Sequence, residues 1–361
     1  MALEQRAPSG DGSVTEVASG IDALYLSGRA ELSENLFRTL EERRQAAAEA
    51  DAAVPLQLAG EEFGVEPRSF GRYRYRLAHR SGLVGVTDSD NLPALRVQPR
   101  AEFLHGVGVE PALRFFERIG EYLAGGPVSW TLSRIDLFCD VQGWTLAGDD
   151  RHRFVCRGHA RTTHEENEDF TGLEFGRRTT KTVMARIYDK THEIDRKGLD
   201  WWPTIWGDRF DPSRPVTRIE FEFGRQGLSE YRVDTPNEGI ESAGRLWRSV
   251  SSDWLSYRSP TSDGTKSRWP VAPEWEAVQA ASLATDAVGL ERIRSARRQG
   301  ELRKLLPQLV GYTASVGAII GTNDASSTLG ALRSLIADDE RRRGVPFEDR
   351  VAERVAARTY S

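Results

Sequence analysis

The most reactive candidate in the sequence is Tyr188, in the run Arg186-Ile187-Tyr188-Asp189-Lys190. In a β-strand alternate side chains share a face, so Arg186 and Lys190 would flank the phenol. A phenol has an ordinary pKa of about 10 and is a weak nucleophile at neutral pH unless nearby cations stabilise the phenolate. The run therefore predicts a nucleophilic tyrosine, although a lone Arg-x-Tyr is also typical of a tyrosine at the edge of a sheet.

Two other extended segments open with Arg-Ile followed by a carboxylate, and their polar residues also recur with a period of two. The residues that share a face are Arg134, Asp136 and Asp140 in the first segment, and Arg218, Glu220 and Glu222 in the second. Carboxylates in such apolar strands need compensation, because burying an unpaired charge is costly. Asp136, Glu220 and Glu222 are therefore candidate oxygen ligands for Mg²⁺ or Mn²⁺. Salt bridges to the neighbouring arginines are the alternative.

Three basic regions are candidates for contact with nucleic acid, because guanidinium groups bind phosphates and aromatic rings stack on unpaired bases. One is an alternating Arg/Tyr run predicted as a strand, one is the turn 176–181, and one is a C-terminal helix from Leu290 to Leu306. A charged helix of this kind is more often simply a solvated surface. The residues assigned to nucleic-acid contact are Arg72, Arg74, Arg76, Tyr73, Tyr75, Arg177, Arg178 and Lys181.

The length, charge and cysteine content of the chain limit the classes of protein to which it could belong. With 361 residues, 39% hydrophobic and 29% charged, the chain can bury a main body with an appendage. A net charge of −5 argues against coating nucleic acid through bulk charge, but it allows a local basic groove. The two cysteines, Cys139 and Cys156, have no neighbours at metal-ligand spacing, so we expect a reduced, buried pair.

Several motifs that would indicate other activities are missing from the sequence. It contains no Gly-x-x-x-x-Gly-Lys-Ser/Thr loop, which weighs against ATP hydrolysis, and no His-x-His pair for a histidine-based metal site. No apolar run approaches the roughly 18 residues that span a bilayer. The first twenty residues also lack the order of a signal peptide, so we expect a cytoplasmic protein with no membrane partner.

Periodicity predicts an α+β fold with two related halves of antiparallel or mixed sheet with helices, plus a helical C-terminal region. Residues 1–18 lack periodicity and are predicted to be a disordered leader, followed by a strand at Ile21–Leu26. The main domain is predicted to cover 19–275, with halves at about 19–126 and 127–258. Residues 276–361 are predicted to be helical, with a break at Pro307.

Four segments taken together resemble the Rep_trans family of rolling-circle replication initiators. They are Arg134-Ile135-Asp136, Thr171–Arg178, Arg186–Glu193 and Thr217–Glu222, and their order agrees with the family as well as their identity. The resemblance covers roughly Ile21 to Trp275 and is most specific in the run Arg186–Glu193. Conjugative-element relaxases share the same domain, so the resemblance indicates the reaction more sharply than its biological setting.

The resemblance implies that Tyr188 attacks a phosphodiester, stays attached to the 5′ phosphate and frees a 3′ hydroxyl. From their position beside Tyr188, we expect Arg186 and Lys190 to help relieve the charge that develops in this reaction. The resemblance also implies that Asp136 and Glu220, and secondarily Glu222, support Mg²⁺ or Mn²⁺. The expected partner is plasmid or phage origin DNA, single-stranded or cruciform, with a host helicase and a second copy of the chain as further candidates. A relaxase for conjugative transfer and a non-catalytic DNA-binding protein of the same fold are the alternatives.

Overall fold

Thirteen strands and eleven helices make up the part of the chain that the computed structural model describes, residues 13–166, 169–177, 182–283 and 290–359. The strands are β1 (Thr15–Arg29), β2 (Val54–Leu58), β3 (Glu61–Glu66), β4 (Tyr75–His79), β5 (Gly82–Val86), β6 (Leu95–Pro99), β7 (Ser129–Gln142), β8 (Phe154–Cys156), β9 (Arg161–Glu166), β10 (Asp169–Phe175), β11 (Val183–Asp189), β12 (Thr217–Gly224) and β13 (Leu255–Tyr257). The helices are α1 (Glu34–Ala50), α2 (Ala101–Val107), α3 (Val109–Ala124), α4 (Lys190–Lys197), α5 (Trp202–Trp206), α6 (Arg225–Glu230), α7 (Pro236–Ser249), α8 (Pro273–Gln279), α9 (Leu290–Ile320), α10 (Ala325–Arg343) and α11 (Phe347–Thr359).

Eleven of the strands form one antiparallel sheet in the order β2-β3-β4-β5-β6-β1-β7-β12-β11-β10-β9. The long strands β1 and β7 lie side by side at its centre, and the outermost strands are β2 and β9. From β1 the sheet continues outward through β6 and β5, and from β7 it continues through β12 and β11. A short helix and then a longer one follow both β6 and β12. The sheet and this repeat confirm the predicted α+β fold with two related halves. Helices α9, α10 and α11 form the predicted helical C-terminal region.

The main hydrophobic core lies between one face of the sheet and helices α1, α3, α7 and α8. Leu24 of β1, Phe116 of α3 and Trp247 of α7 are buried in it, and the ring of Phe221 on β12 lies 5.2 Å from that of Trp247. A smaller cluster on the opposite face joins Phe138 of β7 to the tryptophans around α5 and to Ile293 of α9. The smaller cluster leaves the polar side chains of the central strands lining an open groove.

The first strand begins earlier than the sequence predicted. β1 starts at Thr15, which pairs with Gln142 of β7, and Val17 is buried. The predicted disorder of residues 1–18 is therefore wrong for the last four of them, and residues 1–12 lie outside the described ranges. The prediction from composition was wrong here because backbone hydrogen bonds to a long neighbouring strand keep even a segment rich in Ser and Gly ordered.

The expected helix break at Pro307 is also wrong. α9 runs through Pro307 to Ile320 and is followed by Gly321, whose φ of 75° lies in the left-handed region that ends helices. Pro307 removes one N–H donor, but the residues around it keep the helical path. The next helix begins at a cap in which Asp324 accepts a hydrogen bond from the Ser327 amide at 2.9 Å.

No single helix in the described ranges is long and apolar enough to cross a membrane. By length and composition alone, the helical segments Ile293–Ile320 and Ala325–Arg343 pass such a test only when they are taken together, and they are bent by 85° relative to one another.

Replacing Phe221 by Ala should lower the free energy of unfolding by about 3–5 kcal/mol, because a fully buried ring against Trp247 would leave a cavity. Urea denaturation followed by circular dichroism measures this. Tyr122→Ala is the control: its side chain is 58% exposed, so its effect should stay within about 0.5 kcal/mol. Equal losses in the two variants would contradict the placement of this core.

Candidate active-site groove

Charged side chains of the three adjacent strands β7, β12 and β11 lie on one face of the sheet. Arg218 of β12 lies between Asp140 of β7 and Tyr188 of β11 in the backbone register. One step along, Glu220 is opposite Arg186. One step further, Glu222 is opposite Asp136. The polar rows expected from a period of two therefore meet on one face, while the intervening apolar residues face the main core.

Tyr188 shares a carboxylate with Arg186. Its hydroxyl donates to Glu220 Oε2 at 3.2 Å, and a guanidinium nitrogen of Arg186 pairs with Oε1 of the same group. Burial raises the pKa of Tyr188 well above its ordinary value, and the negative charge of Glu220 raises it further, against the opposing effect of Arg218. The phenol is therefore held protonated beside an acceptor. This differs from the expected activation, in which flanking cations would lower its pKa.

Lys190, the other predicted cation, begins α4 directly after the strand. Its Nζ is 2.6 Å from Glu193 Oε2 and lies 4.5 Å from the ring centroid of Trp202, against 5.9 Å from that of Tyr188. Burial lowers the pKa of Lys190, and the nearby charge of Arg218 lowers it further. Lys190 is thus positioned beside the tyrosine without contacting its hydroxyl.

A buried ion pair lies beneath the tyrosine. Arg218 is fully buried and donates to both oxygens of Asp140, at 2.6 and 2.7 Å. Trp206 donates to the same carboxylate at 2.7 Å, and the ring of Trp202 covers the guanidinium at 4.1 Å. Because a buried pair held by several hydrogen bonds has little freedom to rearrange, it fixes the strand that carries Glu220.

Asp22 is a site residue that the sequence analysis missed. Its Oδ2 lies 3.3 Å from Nη1 of Arg218, and its Oδ1 lies 3.2 Å from Nε2 of His105. The register of β1 with β7 shifts between Ile21 and Ala23, a bulge that places Asp22 at the groove. A carboxylate within the apolar run Ile21–Leu26 was the available signal, but the bulge that re-aims it cannot be read from a period of two.

The predicted metal ligands are engaged by arginine. Arg134 Nε donates to Asp136 Oδ1 at 2.7 Å, and its Nη2 lies 2.8 Å from Glu222 Oε2. Burial raises the pKa of Asp136 to about 7, and the neighbouring Glu220 and Glu222 add to the shift against the pull of Arg134. In the described part of the chain, no three His, Cys, Asp or Glu side chains are arranged to hold a metal ion. As they stand, these carboxylates do not fit Mg²⁺ or Mn²⁺, because guanidinium groups occupy the positions a cation would take.

An open groove of about 740 Å³ runs over this face. Tyr188, Arg186, Asp136 and Glu220 line it, and its far wall is α9. The helix is anchored there by two ion pairs, Arg297 with Glu102 at 3.0 Å and Lys304 with Asp200 at 3.2 Å. The basic side chains along the groove are Arg100, Arg134, Arg186, Lys190, Lys197, Arg297 and Lys304. Seven acidic side chains also line the groove, so its mixed charge suits a polar ligand better than a small apolar one.

A second cavity of about 390 Å³ lies on the other side of the tyrosine and shares Tyr188 and Arg186 with the groove. Gly172 of β10 lies directly opposite Tyr188. A Cβ at Gly172 would lie 2.6 Å from the carbonyl oxygen of Ile187 and 2.8 Å from Cβ of Tyr188. Only glycine allows β10 to approach the tyrosine this closely, so the second cavity depends on it.

The Arg/Tyr run predicted to contact DNA does not join the groove. β4 begins only at Tyr75, and Tyr73 and Tyr75 are buried, so their rings cannot stack on a base. Arg74 pairs with Glu41 at 2.9 Å and Arg76 with Glu66 at 3.1 Å. Their strand lies six strand positions from β11, about 29 Å at the usual spacing.

The remaining predicted DNA contacts lie elsewhere. Arg72 is exposed in the turn before β4. Arg177 lines a separate cavity of about 420 Å³ together with Trp254. Arg178 and Lys181 lie outside the described residues, so their assignment stays a prediction.

No protein-family model matches the chain, and no curated protein matches it. Among solved structures, one similar chain is the rolling circle replication initiator protein from Geobacillus stearothermophilus. It is 15% identical, the likeness covers 76% of this chain and 100% of that one, and the TM-score is 0.44. An identity and a TM-score this low assign neither a family nor an activity.

Asp136 should make the stability of the protein depend on pH. The pKa of Asp136 in the folded protein, about 7, lies above the ordinary 3.8. Between these two pH values the native state therefore retains a proton that the unfolded state releases. The resulting stabilisation is complete below about pH 4 and is lost as the pH rises through 7, with a slope of up to about 1.4 kcal/mol per pH unit. Urea denaturation from pH 4 to 8 should show the wild type losing stability relative to Asp136→Asn. Asp195→Asn, at an exposed carboxylate, is the control, and parallel curves for wild type and Asp136→Asn would exclude this role.

Proposed function

We propose that this protein cuts and rejoins one strand of DNA through a covalent bond to Tyr188. The observation that carries the proposal is the contact of the Tyr188 hydroxyl with Glu220, beside Arg186, in an open groove that basic and acidic side chains line together. The resemblance of Arg186–Glu193 to rolling-circle initiators supports it independently of the geometry. Initiation of rolling-circle replication at a plasmid or phage origin in the cytoplasm is the biological role we propose.

In the proposed reaction Glu220 is the general base. A phenol whose pKa is raised does not ionise by itself at neutral pH, so its proton must pass to an acceptor as the bond to phosphorus forms. Glu220 Oε2 already accepts that hydrogen bond. The phenol oxygen attacks the phosphorus, the bond to the 3′ oxygen breaks, and the leaving oxygen takes a proton from water. The phosphotyrosine bond formed allows a 3′ hydroxyl to reverse the reaction without nucleotide hydrolysis.

Arg186 and Lys190 offset the charge that develops on the phosphate oxygens in this proposal. Nε of Arg186 is buried and makes no hydrogen bond in the described part of the chain, so it is a donor that a small shift could offer to a phosphate. Participation of Mg²⁺ or Mn²⁺ stays a prediction. It would require Arg134 to release Asp136 and Glu222, and cleavage assays with and without EDTA test whether a metal is needed.

Tyr188→Phe should abolish cleavage and the protein–DNA link, a loss of more than about 10³-fold, because the ring is retained but the attacking oxygen is removed. The substrate is a supercoiled plasmid carrying the DNA that flanks the gene for this chain. The products are followed as open circles and as protein that stays linked to a 5′ end after denaturation. Tyr231→Phe is the matched control, since that hydroxyl bonds to Ser249 at 3.0 Å and does not line the groove. Cleavage by Tyr188→Phe at the wild-type rate would refute the tyrosine mechanism.

Glu220→Gln should slow cleavage about 10²-fold at pH 7, the usual contribution of a general base. The cleavage rate of this variant should then rise about tenfold per pH unit. The reason is that the phenolate fraction of Tyr188 increases tenfold per unit as long as the pH lies below the pKa of Tyr188. The wild-type profile should be flatter over the same range. Single-turnover rates from pH 6 to 10 measure this, and a loss that is equal at every pH would mean that Glu220 only positions Arg186.

A further inference from the structure

The polar face of the sheet continues beyond the groove onto β6, in the first half. Leu95 and Val97 of β6 are buried in the main core, so Arg96 and Gln98, which alternate with them, point to the opposite face and are only half-buried. Arg100 follows the same strand and lines the groove. Side chains two residues apart recur about every 7 Å along a strand, so these three polar residues form a row that leads out of the groove.

An aromatic ring on β1 lies beside this row. Ser27 is paired with Arg96 in the backbone register, and Tyr25 lies two residues before Ser27 on the same face. Tyr25 lines the groove, and the guanidinium of Arg134 lies 5.0 Å from the centroid of its ring. Burial raises the pKa of Tyr25 against the opposing charges of Arg134 and Arg96, so both guanidinium groups lie close to the phenol. We call the surface formed by these residues the β6 track, and its members are Tyr25, Arg96, Gln98 and Arg100.

The β6 track differs from the groove in charge. Seven acidic side chains line the groove, whereas the track contains two arginines and no carboxylate. Arg134 pairs with Asp136, but among the residues that the structure describes no carboxylate pairs with Arg96. The guanidinium of Arg96 lies over the ring of Phe70, 4.9 Å from its centroid. A guanidinium that is stacked on a ring and not neutralised keeps its charge and the donors at its edge for an anion.

We propose that the β6 track binds the single strand of DNA that leads away from the cut. This inference rests on the proposed cleavage at Tyr188 and extends it, because it assigns a surface to the rest of the substrate. Arg96 and Arg100 bind phosphates of the strand, and the ring of Tyr25 stacks on an unpaired base. A single strand suits the track better than a duplex, since the bases of a duplex are stacked on one another and offer no free face to the ring.

The distance between the track and the tyrosine corresponds to several nucleotides. β6 lies four strand positions from β11, about 19 Å at the usual spacing of strands. Stacked nucleotides are about 3.4 Å apart along one strand, so about six of them span this distance. The track therefore contacts DNA well away from the scissile phosphate, and its side chains act on binding of the substrate rather than on the chemical step.

Fluorescence anisotropy of the full chain with a labelled 20-nucleotide oligothymidylate, at several salt concentrations, tests the proposal. For Arg96→Gln the slope of log affinity against log salt should become shallower by about 0.7, the value for one phosphate contact on a single strand. Arg96→Lys keeps the charge and should keep the slope. Tyr25→Leu should weaken binding at least about fivefold, the usual contribution of one stacked base, whereas Tyr25→Phe keeps the ring and should bind as the wild type does. Arg114→Gln is the matched control for charge, because that side chain is 65% exposed on α3, on the other side of the sheet.

The plasmid cleavage assay separates this inference from the proposed function. If the wild type cuts the plasmid but Arg96→Gln and Tyr25→Leu bind the oligonucleotide as the wild type does, the track is wrong and the proposed function stands. If the wild type neither cuts the plasmid nor binds the oligonucleotide, both are wrong. Equal changes in Arg96→Gln and Arg114→Gln would also overturn the track, because only overall charge would then matter, and so would tighter binding of a duplex of the same length. Circular dichroism melting checks that each variant stays folded.

Discussion

The polar face of the sheet depends on one buried guanidinium. Arg218 has no access to water, so its charge must be balanced inside the protein, and Asp140 does so through two hydrogen bonds. Removing one partner of such a pair typically costs about 3–5 kcal/mol, because the other charge is left uncompensated. A slip of β12 by one residue would turn Arg218 into the main core and Ile219 into the groove. The pair therefore fixes the register that sets Glu220 beside Tyr188.

With this register fixed, the carboxylates of the groove lie beside guanidinium groups. Each carboxylate of this face is paired with a guanidinium group, so the face is stable without a ligand, and Arg186 keeps a donor, Nε, that makes no hydrogen bond in the described part of the chain. The tyrosine is kept protonated by burial and by Glu220 rather than ionised by its neighbours. In the proposed reaction, a tyrosine held in this way stays inert until a substrate is positioned beside it.

The sequence predicted those features of the site that depend on local period. The alternation in Arg134–Asp140, Arg186–Tyr188 and Arg218–Glu222 placed each polar row on one face because strands repeat every two residues. It could not reveal what depends on distant chain segments, such as the bulge that adds Asp22 or the ion pairs that anchor α9 over the groove. Tyr73 and Tyr75 were misassigned for the same reason, since only the packing of β4 shows that their rings are buried.

The two edges of the eleven-stranded sheet are poorly suited to pairing with further strands. One outer strand, β2, contains Pro55, which has no N–H to offer a neighbouring strand, and the other, β9, presents the charged and polar run Arg161–Glu166. Such edges discourage the open-ended strand-by-strand growth that leads to fibrous aggregates. A large, nearly continuous sheet can thus remain a discrete particle even at high local concentration.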